Sequence, residues 1–219
     1  MDTMLARILT VIFIFLTSHL FAQSYTYEEV SGDNVYHYVY DVLKIPDGTK
    51  IQVIKKEGDK ILEDHVFYLN SQLHTEKWIF KRSRDNTSVT AELKGDEVHI
   101  QGIRGGDRID EDEDLDEIPW IQLWPMNLGL ENFLRSTDEE IRYWAFGTEK
   151  PGDLELAKFV ASKEEKERVR ICNEEVMTQR VKITLSGWRS LFWAGNFFFR
   201  ESDCRIVKYD GDGAPGKPG

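Results

Sequence analysis

NVYHYVYDVLKIPDGTKIQVI, residues 34–54, sets Tyr36, Tyr38 and Tyr40 against Val35, His37 and Val39, breaks at Pro46-Asp47-Gly48, and resumes with Ile51 and Val53 against Gln52 and Ile54. A period of two on either side of a Pro/Asp/Gly break describes two strands joined by a hairpin turn. The same grammar runs outward from Tyr25 to Ile103. Its turn candidates are Ser31-Gly32-Asp33-Asn34, Glu57-Gly58-Asp59, Asn70-Ser71, Arg84-Asp85-Asn86, Lys94-Gly95-Asp96 and Gly105-Gly106-Asp107. Each supplies residues that tolerate positive φ or close an Asx turn. This half of the chain therefore reads as an antiparallel meander.

The pattern changes at residues 107–117, DRIDEDEDLDE, which read as a solvated acidic loop. Large apolar groups then recur three and four apart from Trp120 to Leu134, the spacing of a short helical insertion over about 120–135, broken or started at Pro125. Strands resume at 141–146, 154–160, 169–172, 181–185, 191–200 and 205–209; Val181, Ile183 and Leu185 against Lys182, Thr184 and Ser186 form the clearest alternation. Ser162 to Glu165 is a capping-box candidate for one helical turn. The fold class expected is all-β with minor α. Residues 23–210 form one antiparallel domain of roughly ten strands, curved into a half-barrel or open barrel, and 211–219 form a flexible tail.

The first 22 residues carry Arg7, an apolar run from Ile8 to Leu16, a break at Thr17-Ser18 and a small residue at Ala22. That order describes a secretory signal peptide cleaved before Gln23, and its apolar run is shorter than the roughly 20 residues a spanning helix needs. A secreted or periplasmic protein is expected, with no transmembrane segment in the mature chain. Losing Asp2 and Arg7 together leaves the net charge at −11. An acidic chain without a Lys/Arg cluster repels phosphate backbones, so nucleic acid is not an expected partner. Cys172 and Cys204 would meet an oxidising compartment and are a candidate disulfide; the alternative is two small apolar residues pointing apart.

Catalytic and metal motifs are few. Asp110, Asp112 and Asp114 begin like a calcium loop, but Leu115 and Ile121 stand where glycine and a bidentate glutamate belong. His37, His65, His74 and His99 show no zinc spacing and read as strand decoration. No nucleophile elbow, phosphate loop or dinucleotide fingerprint occurs, so neither a metal nor a cofactor is expected. Asn86-Thr87-Ser88 matches a glycosylation triplet on a turn, and a bare triplet decides nothing.

Aromatic content is the stronger chemical feature: all six tryptophans lie beyond residue 22, with Phe197-Phe198-Phe199 close to Trp193. Bulky groups on both faces of 191–199 require a sheet covered on two sides or lining a cavity. Core packing is the plain account. The sharper one is an apolar pocket lined by Trp120, Trp124, Leu128, Phe133, Trp188, Trp193, Phe197 and Phe199. Tryptophans stacking on sugar rings would instead make a glycan-binding module, and paired carboxylates an acid/base hydrolase.

At the carboxy end, Trp193, Phe197-Phe198-Phe199-Arg200-Glu201-Ser202-Asp203, Ile206-Val207-Lys208-Tyr209 and Gly213-Ala214-Pro215-Gly216 resemble the closing hairpin of uncharacterised bacterial envelope proteins related in fold to the lipoprotein carrier LolA. Cys204 departs from that pattern by standing where a turn glycine is expected. The resemblance implies an incomplete, curved barrel with hydrophobic contents on its concave side. It assigns no activity and transfers no residue roles. The function expected is thus an exported, non-enzymatic binding protein that holds a lipid or a lipidated partner on an aromatic concave face.

Overall fold

The computed structural model describes residues 22–31, 34–122, 129–147, 154–171, 173–191 and 193–211. Eight strands pair in chain order into one antiparallel sheet: β1 (Ala22–Ser31), β2 (Asn34–Ile45), β3 (Gly48–Glu57), β4 (Lys60–Leu69), β5 (Thr75–Arg82), β6 (Thr87–Lys94), β7 (Glu97–Arg104) and β8 (Asp107–Asp114). One short helix, α1 (Glu131–Arg135), precedes β9 (Glu140–Gly147), β10 (Glu155–Ile171), β11 (Glu174–Leu185), β12 (Ala194–Arg200) and β13 (Ile206–Gly211). These five form a second antiparallel sheet, also in chain order, and neither sheet closes on itself. The all-β, antiparallel, open architecture with minor α stands. The single sheet of about ten strands becomes two sheets with thirteen strands among the described residues.

In the first sheet the period of two is realised as burial. Tyr38, Tyr40 and Val42 of β2, Ile51 and Val53 of β3, Phe67 and Leu69 of β4, and Trp78 and Phe80 of β5 all lie on the inner side. Register places Phe67 opposite Trp78, and their rings stack at 6.1 Å and 2°. Gly48 opens β3 where a Cβ would stand 1.9 Å from the Leu69 carbonyl oxygen, so this position admits no side chain.

Three expectations are corrected. The acidic stretch 107–117 is not a loop: Asp107–Asp114 is β8, paired throughout with β7. Its alternation was masked because only Ile109 on its inner side is apolar and buried, while Arg104 neutralises Glu111 at 2.8 Å and His99 meets Asp112 at 2.7 Å. Carboxylates along this edge strand also discourage pairing with another chain. The capping-box candidate at Ser162 lies inside β10, one 17-residue strand with a register shift between Lys163 and Lys166. Its far half is mostly charged, with Val169 its one buried residue, and so carries little apolar signal. The helical insertion shrinks to α1; Trp120–Gln122 is extended instead, and residues 123–128 lie outside the described part.

Two hydrophobic cores result. The first fills the inner side of β2–β8 and takes Trp120, Phe146 and Leu154 from beyond them. The second lies between β9–β13 and α1, with Leu130 and Phe133 set over Tyr143, Phe159, Val181 and Phe199. β9 serves both: Tyr143 and Ala145 face the second core, Phe146 the first. A strap at Pro119–Gln122 ties the sheets. Thr75 N–H donates to the Trp120 carbonyl at 2.8 Å, Trp144 N–H to the Pro119 carbonyl at 2.9 Å, and Ile121 N–H to the Trp144 carbonyl at 2.9 Å. The Gln122 amide completes the seam, donating to the Phe146 carbonyl and accepting from the Phe146 N–H, each at 2.8 Å.

Candidate functional site

Of the eight residues expected to line a pocket, Phe133, Trp193, Phe197 and Phe199 come together in the second core. Trp120 belongs to the first core and Trp188 is 73 % exposed. Trp124 and Leu128 lie outside the described residues, as do Cys172, residues 1–21 of the leader and residues 212–219 of the tail. Cys204 is buried, and its thiol is pushed up by that burial. Its φ of 57° is the left-handed turn conformation for which a glycine was expected.

The site with the most unusual surface is the connection from β11 to β12. Gly187, at φ 68°, starts a 3-10 turn through Leu191. Three residues per turn align positions three apart, so Trp188 and Leu191 project on one side. They are 73 % and 86 % exposed, well beyond the other large apolar side chains among the described residues. The turn is anchored at its base: Ser186 N–H donates to the Lys158 carbonyl at 2.8 Å, and Arg189 pairs with Glu155 at 2.6 Å.

Two residues beyond the turn, Trp193 is 8 % exposed and meets Phe159 edge-on at 5.8 Å. Its indole Nε1 is buried with no hydrogen-bond partner. A buried N–H without an acceptor is costly, so this atom is a position where an acceptor from outside the chain would be favoured. α1 packs on the same core through Phe133. It is pinned by Asn132 Nδ2 donating to the Gln72 carbonyl at 2.7 Å and by Lys163 Nζ donating to the Ser136 carbonyl at 2.7 Å, with the same ammonium 4.8 Å from the Phe133 ring centre.

Two surface depressions lie elsewhere. One of about 500 Å³ is lined by Lys44, Pro46, Asp47, Thr49 and Leu73 among others, the other of about 400 Å³ by Arg104, Glu111, Glu113, Leu154 and Leu156 among others. Neither includes the aromatic residues above. Among the described residues no three His, Cys, Asp or Glu side chains are grouped to hold a metal ion.

The buried polar cluster of the first core was missed as a unit. His65 is fully buried, not strand decoration; Trp78 Nε1 donates to its Nδ1 at 3.3 Å, and its Nε2 lies 3.3 Å from Glu63 Oε2. Burial pushes the imidazole below its ordinary range against the pull of Glu63. Burial pushes the Glu63 carboxyl up, but the His65 hydrogen bond with the Lys55 and Arg82 charges prevails and holds it below the usual range. The missed signal was parity: His65 shares its strand side with Phe67 and Leu69.

The chain matches no family model and no curated protein. Among solved structures it is similar to a β-barrel-like protein of a domain of unknown function, DUF1849, from Brucella abortus, at 9 % identity. That alignment covers 82 % of this chain and 89 % of the other, with a TM-score of 0.49.

Proposed function

We propose that this is an exported, non-enzymatic binding protein that holds an acyl chain, from a free lipid or a lipidated partner, in the second core beside Trp193. The observation that carries the reading is the unpartnered buried indole N–H of Trp193, two residues beyond an exposed apolar turn. An ester or amide carbonyl at the head of an acyl chain would accept that proton while the chain lies against Phe133, Phe159 and Phe197. α1 is the element that must move aside, and five residues are too few for a helix stable by itself. Export rests on the order of residues 1–22, and the LolA-like resemblance of the carboxy end belongs to the same reading.

The test is native and denaturing mass spectrometry of the exported protein. The expected result is an added mass that leaves on denaturation and extracts into organic solvent, its size separating a lipid from an acylated protein. Trp193→Phe removes the N–H and part of the ring, is expected to cost about 1–2 kcal/mol of stability, and should weaken binding of a fluorescent acyl probe several-fold. A bare mass together with unchanged probe binding in this variant would overturn the reading.

A further inference from the structure

We infer that the Gly187–Leu191 turn docks the protein on a lipid surface, Trp188 and Leu191 entering the boundary between headgroups and acyl chains. The inference goes beyond cargo binding and stands or falls separately from it.

Three observations carry it. Trp188 and Leu191 are the two most exposed large apolar side chains among the described residues, and they sit three apart on one 3-10 turn, so a single approach buries both. The feature is a projection of two side chains at the tip of a strand connection. A stable protein interface needs roughly 800 Å² per partner, far more than such a knob offers, whereas a fluid lipid layer closes around it without shape complementarity. Tryptophan suits that depth, because it is enriched where membrane meets water.

The nearby charges fit a neutral surface. Arg189 is paired with Glu155 at 2.6 Å, so the turn carries no unpaired cation toward the lipid at its rim. The chain as a whole carries −11, which opposes an anionic layer. Zwitterionic headgroups are therefore the partner the electrostatics favour, and the apolar side chains supply the attraction.

The exported protein is sedimented with vesicles of phosphatidylcholine, and with vesicles of phosphatidylcholine mixed with phosphatidylglycerol, at low and high salt. Wild type is expected to sediment with phosphatidylcholine vesicles and to shift its tryptophan emission to the blue. Trp188→Ala with Leu191→Ala should weaken partitioning by about tenfold or more, and Trp188→Phe should retain most of it. Both positions are exposed, and a thermal melt of each variant checks that the fold is intact. Phosphatidylglycerol should weaken partitioning at low salt and salt should restore it. No partitioning by wild type, equal partitioning by the double variant, or tighter binding to the anionic vesicles would overturn the inference. Self-association that the double variant abolishes, without vesicle binding, would also overturn it and assign the turn to a protein contact. Added mass in the spectrometer bears on the cargo, not on the vesicles, so the two failures are distinguishable.

Discussion

His65 has one neutral tautomer open to it, because of what its neighbours can do. An indole N–H only donates, so Nδ1 of His65 accepts from Trp78, and the ring proton sits on Nε2 facing Glu63. Phe67, Trp78 and Phe80 surround the ring at centroid distances of 5.8, 5.9 and 4.6 Å, so an imidazolium there would be cut off from bulk solvent. Protonation would cost the Trp78 hydrogen bond as well as burying a charge. The folded state thus binds the proton less readily than the unfolded chain. Stability is then full above about pH 6.5, the unfolded value, and falls as pH drops from there toward the lowered folded value. Glu63, lowered in the fold, adds a further loss only below the ordinary carboxylate range. The unfolding free energy from urea titrations between pH 8 and pH 5 should fall in wild type at up to about 1.4 kcal/mol per pH unit. His65→Gln should be less stable at pH 8 and nearly flat over the same range; an equally steep slope in the variant would assign the dependence elsewhere.

β8 shows how an element with almost no apolar residues forms at all. Its backbone completes the ladder of β7, and its side chains contribute through pairs with Arg104 and His99, while Ile109 alone fixes which side faces inward. Sequence reading saw a charge run because the run lacks the hydrophobic alternation that marks a strand. The carboxylates also have an edge role, since an uncovered, flat apolar edge invites another strand. Replacing Asp110, Asp112 and Asp114 by threonine raises strand propensity and removes the repulsion. The variant is expected to keep its far-ultraviolet circular dichroism but to aggregate at protein concentrations where wild type stays clear by light scattering. A variant as clear as wild type would show that β8 is protected by something other than its charge. At the opposite end of the sheet, β1 has a different device: the Arg205 guanidinium lies 3.7 Å from the Tyr25 ring centre, joining β1 to the start of β13.

For the whole molecule, the decisive contact is the strap between the two sheets. Gln122 is 1 % exposed, and its amide does the work of a strand residue by satisfying both main-chain groups of Phe146. Its own N–H is taken by Thr75 Oγ1 at 3.2 Å, so β5 and β9 are joined through one residue. Gln122→Ala leaves a buried N–H and a buried C=O of Phe146 without partners, an expected cost of about 2–4 kcal/mol. Denaturant unfolding followed by tryptophan fluorescence and by circular dichroism is expected to remain one coincident transition in wild type and to separate into two in the variant. Coincident transitions with an unchanged midpoint would deny the strap its role. Trp144 reinforces the same seam, its indole donating to the Leu115 carbonyl at 2.7 Å.

The meander from β1 to β7 was legible in the residues themselves because antiparallel hairpins are local: alternation declares the strands, and Gly, Asp, Asn and Pro declare the turns, whereas β8 carried no such alternation. Burial follows that alternation through Tyr38–Val42, Thr49–Val53, His65–Leu69 and Trp78–Arg82. The role of each aromatic was not legible, because local pattern says that a side chain faces inward but not which core it enters. Phe133, Trp193, Phe197 and Phe199 share one core and Trp120 enters another, as decided by the pairing of β9 with β10 and by the strap, contacts between residues far apart in the chain. Trp188 was grouped with them by its neighbours in sequence, yet a single 3-10 turn carries it to the surface. Composition and periodicity thus determined the fold class, while the division into two cores, the orphan indole N–H and the exposed turn came from long-range packing, whose geometry no short window of sequence contains.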